Sequence, residues 1–446
     1  MRLFGTDGVR GLANGEVLTP ELTMALARSA AHELLALRPG SAAGSEGRPL
    51  AVIGRDTRPS GPMLEAAAAA GFASAGVDVQ LLGVVPTPVV AYACARGGAD
   101  LGLVVSASHN AMPDNGLKLF GPGGWKLPDE VEVAIEAGLH VARERPTGLG
   151  LGRITASTDA VAAYAQDLLG TLAARPAGLR VVVDCAEGAA WELAPELYRQ
   201  AGAEVIAIAA NGDGERINDG SGATHLELLQ AAVLAHGADL GLAHDGDADR
   251  CLAVDATGAV VDGDQLLALL AVAMQSRGAL PTGTVVATVM SNLGFVRAMD
   301  EHGIRVVQTA VGDRYVLAAM RAGGHALGGE QSGHTVLLEH ATTGDGLLTG
   351  LSVLGRMAET GLSLASLAAV MTRLPQVLVN VRAARTRASD ADVLDAVARE
   401  EGLLGAAGRV LLRPSGTEAL VRVMVEAQSA AQAAEVADRL AAVVGT

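Results

Sequence analysis

The chain has 446 residues, half of them apolar but only 2% aromatic, so it can bury several cores and must build them from Ala, Val and Leu. A net charge of −16, from 33 basic and 49 acidic residues, argues against non-specific binding of nucleic acid, which needs a basic face. It leaves open a small phosphorylated ligand held by a few convergent cations or by a metal. Cys94, Cys185 and Cys251 lie far apart with no CxxC pair, which argues against a disulfide framework or a zinc site.

In chain order, the start MRLFGTDGVRG lacks an apolar leader, and Arg10 sits there in a glycine-flanked turn. PLAVIGRDTRPSGPMLEAAAAAGFASAG (49–76) then reads as a buried strand, a polar loop and an Ala-rich helix. In that loop Arg55 and Arg58 are expected to brace an interface or pair with Asp56. The run LGLVV (101–105) is a strand that stops at SASHN. LRVVVDCAEGAAWELAPELYRQAG (179–202) and GTVVATVMSNLGFVRAMDEHG (283–303) repeat the strand–loop–helix grammar, each helix ending near Gly. The longest apolar run, 266–274, is too short to cross a bilayer. The expected compartment is the cytoplasm, with no membrane or nucleic-acid partner.

After 373–375 the tail reads strand, helix, strand, the loop RPSGTE, strand and helix, which is a small α+β domain. The fold class is therefore α/β: three consecutive α/β/α domains with mixed sheets plus a smaller C-terminal α+β domain. The expected boundaries are 1–150, 151–255, 256–372 and 373–446.

Four stretches carry chemistry. HDGDADRC (244–251) places Asp245, Asp247 and Asp249 at a strand end. In an extended segment alternate side chains share one side, and three crowded carboxylates there suit Mg²⁺. An EF-hand starting at Asp245 fails, because its sixth and twelfth positions are Arg250 and Ala256. An aspartyl-phosphate phosphatase is weakly supported and stays open. RPSGTEALVR (413–422) offers Ser415, Gly416 and Thr417 between Arg413 and Arg422, a phosphate dock. GGEQSGH (328–334) puts Glu330 and Ser332 on a tight loop of the kind that binds sugar hydroxyls.

The fourth stretch is SASHN (106–110). A Ser–His catalytic pair needs convergent side chains, and the adjacent Ser108 and His109 diverge from an extended backbone. No G-x-S-x-G elbow surrounds either serine. A serine that carries a phosphoryl group fits better, with Lys118 and Arg10 offsetting its charge and the aspartates sharing a metal with it. No Walker A lysine and no complete G-x-G-x-x-G occur, so nucleotide binding lacks support.

SASHN…DNGLK, DGDADR, GEQSGH and RPSGTE, in this order and spacing, resemble the α-D-phosphohexomutases over the whole chain. The start FGTDGVRG and the Gln of GEQSGH look more like the phosphoglucosamine branch than the phosphomannomutase/phosphoglucomutase branch. The resemblance assigns phosphorylation to Ser108, metal binding to Ser108, Asp245, Asp247 and Asp249, and sugar contacts to Glu330 and Ser332. It assigns phosphate binding to Arg413, Ser415, Gly416, Thr417 and Arg422, and places Arg10, His109, Lys118 and Arg250 at the reaction centre. Two departures are Ala111, where the family usually has proline after SHN, and His244 before the metal loop, expected to pack rather than ligate.

The resemblance implies an isomerase that converts glucosamine 6-phosphate to glucosamine 1-phosphate through a 1,6-bisphosphate. It implies one Mg²⁺ per site and a Ser108 phosphate primed by a sugar 1,6-bisphosphate or by autophosphorylation. It also implies a homodimer and closure of the last domain about 373–375. Lys118, with a pKa lowered by burial and a neighbouring cation, is the expected general base, and His109 is the second choice. The alternatives are a phosphomannomutase or phosphoglucomutase of the same family, a phosphatase using the aspartate loop, and a sugar-phosphate sensor.

Overall fold

The computed structural model of the chain describes residues 3–5, 7–36, 47–414 and 419–445. They divide into two compact units, 1–289 with 307–368, and Met290–Val306 with Ala369–Thr446.

The larger unit carries three mixed sheets. In the first, six strands lie in the order Val9–Leu12, Asp114–Phe120, Leu101–Val105, Leu50–Arg55, Asp78–Val84 and Ile154–Ala156. The last four are parallel and the first two antiparallel to their neighbours. The second sheet runs Val260–Val261, Cys251–Asp255, Leu240–His244, Arg180–Asp184 and Glu204–Ile208, parallel over the last three strands and antiparallel before them. In the third, Thr284–Thr288 pairs in parallel with Leu327–Gly329, which pairs antiparallel with Thr335–Leu337.

Leu101–Val105, Leu240–His244 and Thr284–Thr288 are buried at every residue. A strand covered on both faces has no solvent side to alternate toward, which is why these runs read as continuous apolar stretches. Helices cover them: Leu26, Ala27, Ala30, Ala68, Ala69 and Phe72 pack on the first sheet. The 266–274 run lies in the helix Gly263–Ser276, whose N-terminus is a capping box of Asp262 and Gln265. Gly202 ends the helix Leu193–Ala201 at φ +115, a backbone that a Cβ would strain. Among the described residues no helix is long and apolar enough to cross a membrane. All three cysteines are buried and unbridged.

Two strands lie just past expected boundaries. The strand Ile154–Ala156 pairs with Val79–Leu81, so the first sheet runs past 150. Val260 and Val261 pair with Val254 and Ala253, so the second sheet runs past 255. Both strands follow turns that look like linkers; the first is assigned by partners far earlier in the chain, the second by a hairpin back onto the strand just before its turn.

The smaller unit holds one antiparallel sheet, Gln376–Arg382, Leu420–Glu426 and Arg409–Pro414, covered by the helices Ala391–Leu404 and Ala430–Val444. Its first strand alternates in exposure, as a sheet packed on one face should. The helix Leu293–Glu301 belongs to this unit. Asn292 donates to the Leu374 carbonyl and accepts from the Leu374 N–H, both at 3.0 Å, while Glu426 accepts from the Leu293 N–H at 2.9 Å. Leu374 is thus anchored within the smaller unit, by a side chain that sequence spacing does not reveal.

Candidate active site

The strands Leu101–Val105, Leu240–His244 and Leu327–Gly329 each end in one of the predicted loops. Ligands gather at the carboxyl ends of parallel strands because the chain must turn there and leaves polar loops facing a crevice.

The serine loop separates its two serines. Ser106 donates to Asp56 Oδ2 at 2.7 Å, and its oxygen accepts the Ser108 N–H at 2.9 Å. Its hydroxyl is therefore committed to the scaffold. Ser108 holds φ +53 and points its hydroxyl to Asp245 Oδ2 at 2.6 Å. The same left-handed turn brings His109 Nδ1 to 3.3 Å from Ser108 Oγ. The expectation that adjacent residues diverge fails because the backbone here is not extended.

Arg58 holds the loop in place, a role that exceeds its expected pairing with Asp56. It is fully buried and bonds Asp56 Oδ2 through Nε at 2.9 Å. Its two terminal nitrogens donate to the carbonyls of Ser108, Asn110, Ala111 and Asp114 at 3.0, 2.7, 2.5 and 2.9 Å. Asn218 donates to the carbonyls of Ser108 and Asn110 as well, at 2.9 and 3.0 Å. Ala111 keeps its carbonyl in this network, whatever its departure from proline costs elsewhere.

The aspartates lie on a hairpin loop, since His244 and Cys251 are paired strand residues. They converge through a turn with Ala248 at φ +56, rather than through the expected extended alternation. Ser108, Ala186, Glu187, Asn218 and Ala248 all hold φ between +50 and +61 in this region. Left-handed backbone at non-glycine residues costs of order 1 kcal/mol each and concentrates at functional sites. One oxygen from each of Asp245, Asp247 and Asp249 is buried without a hydrogen-bond donor. The carboxylates offer ligand atoms that lie within 4.8 Å of one another. Three orphaned hard oxygens at that spacing fit a divalent cation such as Mg²⁺. Burial, then Asp249 and Asp247, push the Asp245 carboxyl up to about 7. The second Asp247 oxygen accepts from Thr87 Oγ1 at 2.6 Å and Lys118 Nζ at 2.7 Å. His244 is not a ligand: Tyr198 Oη meets its Nε2 and the Arg250 carbonyl meets its Nδ1, each at 3.0 Å.

Cations surround the triad. Lys118 is buried and lies 2.7, 3.0 and 3.4 Å from Asp247, Asp7 and Asp249. Burial alone would lower its pKa, but these three carboxylates outweigh burial and hold it well above the usual lysine value. The expected lowered pKa is corrected: without a competing cation Lys118 is a proton holder. His109 goes the other way, pushed down to about 4 by burial and by Arg250 and Arg10. Arg10 pairs with Asp7 at 2.5 Å. Arg250 stands 3.8 and 3.9 Å from Asp245 and Asp249, with its Nε free of hydrogen bonds.

Sequence reading missed Asp7, Lys126, Asp313 and Thr87. Lys126 bridges Asp7, at 2.7 Å, and Asp313. His334 continues the ring, 3.7 Å from both Asp249 and Asp313. Asp7 lies within FGTDGVRG and Lys126 lies beyond DNGLK, but nothing in their spacing signals that they meet. On the third loop the Glu330 carboxylate accepts the Gly312 N–H at 3.1 Å, and Ser332 is half-buried beside it.

Arg413 and Arg422 belong to the smaller unit, where they are cross-strand partners beside Met290, Leu378, Leu411 and Met424. Ser415, Gly416 and Thr417 lie outside the described residues.

Comparisons with known proteins agree with this arrangement. Sequence models of the phosphoglucomutase/phosphomannomutase family match in order: α/β/α domain I over 1–145, domain II over 161–258, domain III over 262–374 and the C-terminal domain over 378–443. The phosphoglucosamine mutase of Frankia casuarinae is 61% identical over 449 residues, covering 100% of this chain and 98% of that protein. That of Saccharopolyspora erythraea is 61% identical over 445 residues, covering 99% of each. Among solved structures, a phosphoglucomutase/phosphomannomutase family protein of Burkholderia thailandensis aligns with a TM-score of 0.82 at 26% identity, over 99% of this chain and 97% of that one. With four domain matches in order, full-length relatives and a site built from the expected loops, the chain belongs to the phosphoglucomutase/phosphomannomutase family of phosphohexomutases.

Proposed function

We propose that the chain interconverts glucosamine 6-phosphate and glucosamine 1-phosphate, with Ser108 as the phosphoryl carrier. One observation supports it most: Ser108 Oγ lies 2.6 Å from a carboxylate triad whose members each keep one buried oxygen unsatisfied. The full-length relatives, which bear the name phosphoglucosamine mutase, supply the sugar.

In the forward direction the bond between phosphorus and Ser108 Oγ breaks as a bond from phosphorus to the sugar O1 forms. The O1 proton leaves to a base, and Ser108 is returned as a hydroxyl. The 1,6-bisphosphate then reorients, and its 6-phosphoryl group returns to Ser108, leaving the 1-phosphate. Asp245, Asp247 and Asp249 with the Ser108 phosphate would hold Mg²⁺, whose charge offsets that of the phosphoryl oxygens. Lys118 and Arg250 add fixed positive charge around the transferring group. His109, neutral at pH 7 and 3.3 Å from Ser108 Oγ, takes the O1 proton and returns a proton to the departing Ser108 oxygen, while Lys118 keeps its charge. Glu330 and Ser332 bind sugar hydroxyls. Arg413 and Arg422, with Ser415, Gly416 and Thr417, take the phosphate that is not reacting.

We read the enzyme as a cytoplasmic homodimer of four domains, with the first boundary moved past 156 and the second past 261. The Ser108 phosphate is primed by a sugar 1,6-bisphosphate or by autophosphorylation. Intact mass with peptide mapping tests the carrier. A phosphate on Ser108 that exchanges with the label of isotopically labelled glucosamine 6-phosphate supports it; none on Ser108, even after glucose 1,6-bisphosphate, overturns it. Relative kcat/KM on glucosamine, glucose and mannose phosphates tests the sugar. For the proton assignment, His109→Gln should lose at least about 100-fold in kcat, within the range of general base catalysis. A His109→Gln enzyme with near-normal kcat would return the role to Lys118.

A further inference from the structure

The stretch ATTGDG (341–346) carries no recognised motif, yet its last three residues touch both the aspartate loop and His334. Gly346 begins the helix Gly346–Thr360, and its N–H, one of the donors a helix start leaves unused, donates to the Ala248 carbonyl at 3.0 Å. Ala248 is the left-handed residue between Asp247 and Asp249. A Cβ on Gly346 would stand 2.2 Å from the Arg250 carbonyl oxygen and 2.8 Å from that of Ala248, well inside van der Waals contact with backbone. Only glycine lets the helix start approach the loop this closely.

Gly344 acts on the other side. Its N–H meets His334 Nε2 at 3.1 Å and so turns Nδ1, 3.7 Å from Asp249 Oδ1, toward the aspartate loop. A Cβ on Gly344 would meet three ring atoms at 2.3 to 2.5 Å. Between the glycines, buried Asp345 fixes the turn. It caps the helix through the Leu348 N–H at 2.9 Å, accepts the Tyr164 hydroxyl at 2.9 Å and donates its N–H to the Thr335 carbonyl at 3.1 Å.

We propose that the Gly344-Asp345-Gly346 turn is a positioning element that holds the aspartate loop in its metal-binding shape through Gly346 and orients His334 through Gly344. It rests on the reading of the triad as a divalent-cation site. The turn touches neither substrate nor metal; it acts through Ala248 and His334. Because Asp345 anchors it to the strand and helix that follow the sugar loop, the turn couples that loop to the aspartates.

Mn²⁺ titration of the full-length chain, followed by the electron paramagnetic resonance signal of the free ion and by Mg²⁺ competition, tests this apart from activity. Gly346→Ala should weaken Mn²⁺ binding at least tenfold and lower kcat, with the sugar-phosphate KM changed less than threefold. Tyr164→Phe, which removes one anchor without adding an atom, should weaken Mn²⁺ binding two- to fivefold and serves if Gly346→Ala does not fold. Asp247→Asn separates the two failures. If it binds Mn²⁺ like the parent chain, the cation-site reading falls. If it loses Mn²⁺ while a folded Gly346→Ala, or Tyr164→Phe in its absence, binds like the parent, the positioning role is overturned.

Discussion

Replacing Arg58 tests how the Ser108 loop is held. Its side chain is fully buried, pairs with Asp56 and donates to four carbonyls of residues 108–114. Arg58→Met strands the Asp56 carboxylate, although the Ser106 hydroxyl and the residue 58 N–H still reach it. Removing one partner of a buried pair costs about 3–5 kcal/mol. Each orphaned carbonyl adds about 1–3 kcal/mol if nothing replaces the donor. Water entering the vacated space recovers part of that, so about 5 kcal/mol is the expected loss. At about 2–4 °C per kcal/mol, the melting temperature should fall by about 10–20 °C. Arg58→Lys keeps the charge but has three donors on one atom, which cannot span Asp56 and four carbonyls. It should cost about 2 kcal/mol in stability. Because two of the lost bonds fix the carbonyls on either side of His109, kcat should fall at least about tenfold with KM nearly unchanged. Thermal unfolding and steady-state mutase kinetics measure both. The double variant Asp56→Asn/Arg58→Met should be more stable than Arg58→Met alone, since no buried charge is left unpaired. A lysine variant with parental kcat and an unmoved melting temperature would refute the reasoning.

Three further outcomes follow from the aspartate loop. The Asp245 carboxyl is raised from the ordinary 3.8 to about 7, so the fold binds its proton more tightly than the unfolded chain does. Stability from that proton is full below about pH 4 and is lost as pH rises through about 7, so metal-free protein should melt progressively lower over that window. Cation binding must displace the same proton, so Mg²⁺ affinity should rise with pH up to about 7 and then level off, and calorimetry in buffers of different ionisation enthalpy should detect proton release. An affinity flat from pH 5 to 8 would contradict this. Gly246→Ala would place a Cβ 2.5 Å from the Ser108 carbonyl oxygen and 2.9 Å from Asn218 Nδ2. Pushing the serine and aspartate loops apart should lower kcat about 100-fold, a loss that Mg²⁺ excess does not restore.

Much of the chain was legible before folding. Buried strands such as Leu101–Val105 announce themselves as unalternated apolar runs, and the helix Ala430–Val444 by its period, because both signals are local. The clustering of Asp245, Asp247 and Asp249 is also local, since five consecutive residues cannot lie far apart.

What tertiary structure decided depends on residues brought together from afar. Ser108 is distinguished from Ser106 by Asp56, which occupies one hydroxyl, and Asp245, which faces the other. The charge state of Lys118 depends on Asp7, Asp247 and Asp249 around a desolvated amine, and the sign of a pKa shift is the balance of burial against such neighbours. Asp7, Lys126 and Asp313 join the site, and the helix Leu293–Glu301 joins the C-terminal sheet, through contacts between segments distant in sequence. Sequence alone therefore determined the strands, the helices and the chemical inventory of the loops. Only the fold decided which serine hydroxyl faces the aspartates, which groups hold protons and where the compact units divide, because burial and charge pairing are sums over neighbours that the chain order does not contain.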